Sequence, residues 1–402
     1  MTQLHFTLSK DLFIGLFKAG HEEGFSLLMT EILTQFLDAE SEHKLQAKAH
    51  ERNDERTDYR NGKRDRTVKG RIGRLILPVP RHRNEPFHST LLDCYQRNEQ
   101  ALIATMMEMV VQGVSTRKVE EITRELCGIE FSKSHISDIC KHLDKVVLAF
   151  KNRPLETDYP FVMVDAMYIK VREHAAVRSK ALLVALGINP EGRKEIIGFD
   201  VCEGESEYHW ESFFLSLKER GLRGLNLITS DQHAGLVAAI RSVFQNVAWQ
   251  RCQFHFTRNI LDSMPKKYKE EVSRKLKIMF NEESIEAARA VKNDIIDAYQ
   301  SIAPRATETL DEGFEDAMNV MCLPLKYRIT LRTSNLLERE NQELRRRESV
   351  IRIFPNVASA TRLMGAVLLD HHEAWSMKSR VFNMDEYYAK QSEFQTHFRM
   401  VA

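Results

Sequence analysis

The chain has 402 residues, 43% of them hydrophobic, 29% charged, with a formal net charge of +1, so it holds enough apolar material for two or three domains. No run of about 18 consecutive apolar residues occurs, and the amino terminus lacks the basic and apolar regions of a secretory signal; a membrane span and export are not expected, and a cytoplasmic protein is. Six cysteines without a Cys-x-x-Cys pair argue against a zinc ribbon and a disulfide framework.

Taken in order, residues 1–58 read as a helical region, with Phe25, Leu27, Leu28, Ile32, Leu33 and Phe36 at helical spacing. Residues 59–97 change character. Arg60, Lys63, Arg64, Arg66, Lys69, Arg71, Arg74, Arg81 and Arg83 form a basic block, and Gly70, Gly73, Pro78 and Pro80 punctuate short strands. A near-neutral chain thus hides a local cationic patch suited to a phosphate backbone, with a solvated linker as the plain alternative.

Residues 98–153 read as three helices at helix-turn-helix spacing. In the third, Ile136, Ile139, Leu143 and Val146 make the buried stripe, leaving Lys133, Ser134, His135 and Lys141 to face a groove. An ordinary three-helix packing unit would show the same stripe.

From 154 to 256 the order is three strands (161–171, 180–188, 194–202), a helix, a strand (225–231), a helix, and a strand (247–256). That is the order of a ribonuclease-H-like mixed α/β core. Residues 257–330 read as an all-helical insertion, and 331–402 as a core helix followed by C-terminal helices.

The chemistry is expected at three carboxylates. Asp165 sits within an apolar strand, where a charge needs a partner, a metal or a cleft. Asp231 ends a strand just before a helix, where ligands gather on α/β sheets, although it could simply cap that helix. Glu338 follows Asn335 at capping-box spacing, which is its plain explanation. In the core described above all three would converge, and convergent carboxylates suit two hard Mg²⁺ ions (or Mn²⁺) about 4 Å apart around a scissile phosphate.

The stretches YRNGKRDR…GRIGRLILPVPRHR, VDAMYIKV, YHWESFFLSLKERGLRGLNLITSDQHAGL, WQRCQFHFTRNIL and TSNLLERENQELRRR…RIFPN resemble the Mutator-type transposases of bacterial insertion sequences, over residues 59–369. The resemblance implies that Asp165, Asp231 and Glu338 are the metal-binding catalytic triad of a DDE transposase. It also implies supporting roles for Cys252, His255, Trp210 and His233. Read from chemistry alone, Cys252 and His255 could be half a zinc site without a second pair, and Trp210 an ordinary buried aromatic. Arg345, Arg346 and Arg347 would hold DNA beside the metals, or merely favour a helix C-terminus.

The resulting expectation is an enzyme that binds the terminal inverted repeats of its element, cleaves DNA and joins the 3′-hydroxyl to target DNA. Two ends must be held together, so a homodimer or larger assembly is implied. The rivals are a catalytically silent DNA-binding regulator derived from such an enzyme, and another ribonuclease-H-like nuclease.

Overall fold

The computed structural model describes residues 21–49, 51, 55–70, 73–127, 132–377 and 380–401. Of the basic block, Arg71 lies outside the described residues, and only the backbone of Lys69 and Arg74 is described. The chain divides into two compact units, Met1–Lys141 and His142–Ala402.

In the first unit, helix α1 (His21–Leu45) packs on an antiparallel hairpin of β1 (Arg60–Gly70) and β2 (Gly73–His82). The period-2 alternation of β2 sends Leu75, Leu77 and Val79 onto Leu37 and turns Ile76 to solvent. Three helices follow, α2 (Thr90–Val111), α3 (Thr116–Cys127) and α4 (Lys133–Cys140), which bury Met106, Val119, Ile136 and Ile139 against one another. Ser89 and Ser132 cap α2 and α4 by accepting from the amides of Leu92 and His135.

The third helix differs from the sequence expectation. It ends at Cys140, and α5 (Leu143–Lys151) belongs to the second unit, where Val146 is 51% exposed while Val147 and Phe150 are buried. Helix α4 buries Ile136 and Ile139 in the first unit, and α5 buries Val147 and Phe150 in the second.

The second unit is built on a five-stranded sheet in the order β5-β4-β3-β6-β7. Strands β3 (Phe161–Glu173), β4 (Ala176–Ile188) and β5 (Lys194–Cys202) form an antiparallel meander; β6 (Leu227–Ser230) and β7 (Ala248–Arg251) add in parallel beside β3. Parallel neighbours need crossovers, supplied by α6 (Glu207–Glu219) and α7 (Ala234–Val243), whose Trp210, Phe214, Leu217, Leu236 and Ile240 pack with Val162, Val164 and Ile228 of the sheet.

The stretch expected as a strand to residue 256 stops at Arg251, and Gln253 opens α8 (Gln253–Asp262). The helical period aims Phe256 and Ile260, four residues apart, into a separate helical core with α9 (Lys266–Met279), α10 (Ile285–Tyr299) and α11 (Pro304–Met318). The chain returns through α12 (Leu325–Leu331) to α13 (Asn335–Ile351), which carries Glu338 across β3, and α14 (Val357–Ser376), which covers β5 and α5. A Cβ on Gly365 of α14 would lie 2.4 Å from Val147 and 2.6 Å from Phe199, so only glycine permits this approach. Arg362 of α14 donates to both oxygens of Asp144 at 2.6 and 2.9 Å. The short helices α15 (Asp385–Ala389) and α16 (Gln391–Val401) complete the unit.

Candidate active site

The last paired residues of β3 and β6 are Met163 and Thr229. Continuing that parallel register by two residues sets Asp165 level with Asp231, where β6 has ended and the flank of β3 opens. Burial first, then the charge of Asp231, pushes the Asp165 carboxyl up to about 7. Asp165 Oδ1 accepts from the amide of Ala166 at 2.9 Å, and Oδ2 from Asn341 Nδ2 at 2.8 Å.

The plain explanations for Asp231 and Glu338 are not realised. The N-cap of α7 is His233, with no side-chain capping bond, and no hydrogen bond or ion pair engages the Asp231 carboxylate among the described residues. The N-cap of α13 is Ser334, so Asn335 already lies inside the helix, and Glu338 accepts weakly from Ser334 Oγ at 3.5 Å instead of reaching back to an amide. Neither carboxylate is therefore spent on capping its helix.

Cys252 ties the two carboxylate-bearing segments together. Its amide donates to the carbonyl of Ser230 at 2.7 Å, next to Asp231; its buried Sγ accepts from Ser334 N and Oγ, both at 3.4 Å, four residues before Glu338. Burial raises the thiol, but bonds with His255 and Ser334 outweigh it and hold Cys252 below its ordinary value. The bond to Cys252 in turn lifts His255 to about 9 against burial, helped by the charges of Asp165 and Glu338. His255 Nε2 lies 3.7 Å from Glu338 Oε1.

Three further groups at the site were not singled out from the sequence. Asn341, 6% exposed, stands three residues after Glu338 on the same face of α13, and its Oδ1 is buried without a partner. Ser334 is the donor just described. Glu205, in the loop after β5, is raised by burial, with the charge of Asp231 adding to it against that of His233. Its position depends on Gly235, where a Cβ would lie 2.7 Å from Glu207 N and 2.8 Å from Glu205 O. The i to i+3 spacing from Glu338 was a usable signal for Asn341; nothing local marks Glu205.

The other candidates are placed as follows. Trp210 is fully buried and stacked on Phe214, so it packs α6 and offers no face to a base. His233 has a buried Nδ1 without a partner. Arg345, Arg346 and Arg347 lie before the last turn of α13, which holds no basic residue, so the C-terminal charge explanation does not serve them; Arg346 pairs with Glu343. In the first unit Arg60 and Lys63 are turned back to Glu42 and Asp38 on α1. Arg64, Arg81 and Arg83 are exposed and Arg66 half-buried, with no side-chain bond among the described residues. Lys133, Ser134, His135 and Lys141 line the exposed side of α4, Lys141 being paired with Asp138.

A mixed sheet whose acidic residues gather where two parallel strands stop defines an α/β protein with a polar site at strand carboxyl ends. The family model described as "Transposase, Mutator family" matches residues 3–378, and the chain belongs to that family of insertion-sequence transposases. It is 45% identical over 391 residues to the transposase for insertion sequence element IS256 in transposon Tn4001 of Staphylococcus aureus, covering 96% of this chain and 100% of the relative. With the transposase for ISRM5 of Rhizobium meliloti it shares 42% identity over 364 residues, covering 90% and 92%. Among solved structures, the Drosophila P element transposase strand transfer complex aligns at 13% identity with a TM-score of 0.30, over 74% of this chain and 90% of that one, a likeness too distant to bear on the fold. Transposases of this kind cleave DNA and transfer strands in general, and no described helix is long and apolar enough to cross a membrane.

Proposed function

We propose that this transposase binds the terminal inverted repeats of its own element, and that Asp165, Asp231 and Glu338 are a DDE triad holding two divalent cations, Mg²⁺ or Mn²⁺, for DNA cleavage and 3′-hydroxyl strand transfer. One observation carries the reading. The β3–β6 register brings Asp165 level with Asp231 at the open flank of β3, and Asn341, one turn on from Glu338, bonds Asp165 at 2.8 Å.

The donor set fits a hard cation. Asp165, Asp231 and Glu338 offer carboxylate oxygens, and the unpartnered Asn341 Oδ1 is a further oxygen left over in the same place. Bound there, the cations would supply charge neutralisation to an in-line phosphoryl displacement, activating the attacking hydroxyl and steadying the leaving oxygen. The protein's own part is orientation. Asn341 Nδ2 turns the Asp165 carboxylate, Cys252 and Ser334 fix the first turn of α13, and His255 sets a cation-like side chain beside Glu338. We read the sheet order as a ribonuclease-H-like core interrupted by a helical insertion.

The DNA would be gripped by the first unit through Arg64, Arg66, Arg81 and Arg83 on the hairpin and by the exposed side of α4 as a helix-turn-helix element, with Arg345, Arg346 and Arg347 on the helix that carries Glu338. Holding two ends calls for a homodimer or larger assembly, acting on the chromosome in the cytoplasm. The test is cleavage and strand transfer on duplexes carrying the element's ends, with wild type and Asp165→Asn. Loss of both products with end binding intact is expected; equal product from both proteins refutes the triad.

A further inference from the structure

The sequence offered Cys252 and His255 as half of a metal site with no second pair. The fold supplies the third ligand. Cys252 Sγ, His255 Nε2 and a Glu338 carboxylate oxygen all lie within 4.8 Å of one another. That is one sulfur, one nitrogen and one oxygen, on side chains that are buried, half-buried and half-buried. Zinc sites that keep an open position use three protein ligands drawn from this donor menu, with bonds near 2.3 Å to sulfur and 2.0–2.2 Å to nitrogen and oxygen, so ligand atoms sit roughly 3.5 Å apart. The His255–Glu338 separation of 3.7 Å already matches.

The surroundings favour a sulfur-seeking ion. The Cys252 sulfur is fully shielded from solvent and receives two donors from Ser334, the outer contacts that hold a thiolate ligand in place. Mg²⁺ does not take sulfur, so it does not compete for Cys252. Asp165 and Asp231 stand outside the trio.

We propose that Cys252, His255 and Glu338 form a binding site for a soft or borderline divalent cation such as Zn²⁺ or Cd²⁺, and that filling it inhibits the enzyme by drawing Glu338 away from the Mg²⁺-binding set. The inhibitory half rests on the catalytic reading of Glu338 above; the binding half does not. Because a thiolate and a neutral imidazole are the ligand forms, binding releases a proton from the pair to solvent.

The experiment titrates the full-length, metal-free chain with Cd²⁺ and follows the ultraviolet thiolate-to-cadmium charge-transfer band, with Zn²⁺ as a competitor. One equivalent of Cd²⁺ produces the band, Zn²⁺ removes it, and Cys252→Ser abolishes it. Because even an outer-shell partner is worth 10–100-fold in metal affinity, His255→Gln and Glu338→Gln should each weaken binding by about 100-fold or more. Asp165→Asn leaves it unchanged within a few fold. Glu338→Gln, in the half-exposed first turn of α13, keeps the test open if Cys252→Ser does not fold, as checked by circular dichroism. No band in the wild type, or full affinity in Cys252→Ser or Glu338→Gln, overturns the site. In Mg²⁺-supported cleavage, activity falls as the site fills; undiminished cleavage with the site full overturns the inhibitory role. Should Glu338→Gln cleave DNA normally while losing Cd²⁺, the catalytic reading fails and the soft-metal site stands.

Discussion

Replacing Asn341 by alanine tests whether the site is built or merely assembled from acids. In the folded chain its Nδ2 donates to Asp165 Oδ2 at 2.8 Å, and its side chain is 6% exposed, so water does not readily replace it. A hydrogen bond to a charged group is worth about 1.5–3 kcal/mol, which at about 1.4 kcal/mol per factor of ten corresponds to roughly 10–150-fold. That loss should appear as a rise in the Mg²⁺ concentration needed for half-maximal cleavage, since a freely turning Asp165 is a poorer ligand. Thermal stability of the metal-free protein should change little, because the substitution also removes Oδ1, a buried acceptor that has no partner. Cleavage of an end-bearing duplex is followed across a Mg²⁺ series at constant pH, alongside gel-shift binding of the same duplex. Unaltered Mg²⁺ dependence and rate in Asn341→Ala would refute the argument that this bond sets the carboxylate.

Gly235→Ala should destabilise the second unit by about 1–3 kcal/mol, the usual cost of forcing volume into a packed place, because the new Cβ would meet the backbone of residues 205–207; a lowered melting temperature measures it. His371 donates to the buried Glu340, and this bond raises its pKa above 6.5 against burial, with Asp370 and Glu343 adding. Since the folded value is the higher one, the stabilisation is complete below pH 6.5 and fades as pH climbs through the folded value. Urea denaturation of His371→Asn should accordingly show a larger deficit at pH 6 than at pH 9; equal deficits would mean the pair is not charged. For the hairpin, Arg64→Ala and Arg66→Ala should each reduce the log–log salt slope of end binding by about 0.9 if each contacts one phosphate. Lys63→Ala, whose ammonium is held by Asp38 at 2.7 Å, should leave that slope nearly unaltered.

What the sequence conveyed best was the five-stranded sheet of the second unit. Its strands are apolar runs bounded by turn residues, and 161–171, 180–188 and 194–202 each fall within an observed strand. Helix boundaries were harder, because short apolar runs do not reveal their period. Ala248 to Phe256 reads as one strand, yet Gln253 turns the chain into α8, where its Nε2 donates to the carbonyl of Ala317 at 2.8 Å, a tertiary contact with no local trace. The helix end at Cys140 is similar, falling beside the division between the two units. At the site, capping patterns at Asp231 and Glu338 were genuine local alternatives that only backbone geometry at His233 and Ser334 could remove. Asn341 was legible through its helical spacing from Glu338, whereas Glu205 arrives through a close crossing at Gly235 that spans sequence-distant segments.

The helical insertion leaves the sheet at Gln253 and returns at Arg332, and the amide of the first donates to the carbonyl of the second at 2.9 Å. Arg332 also donates to the carbonyl of Phe280 at 3.3 Å and to Oδ1 of Asn281 at 2.9 Å, so the return point is tied to the end of α9 as well. Helix α11 packs on β7 and on α8, while α9 and α10 form an outer tier whose helix contacts are with the other insertion helices. Lengthening a surface connection costs only about 0.6 kcal/mol per doubling. The outer tier is therefore where a lineage of these enzymes is free to grow, shrink or exchange helices while the carboxylates stay in register, and length differences between relatives should collect between Met264 and Ala303.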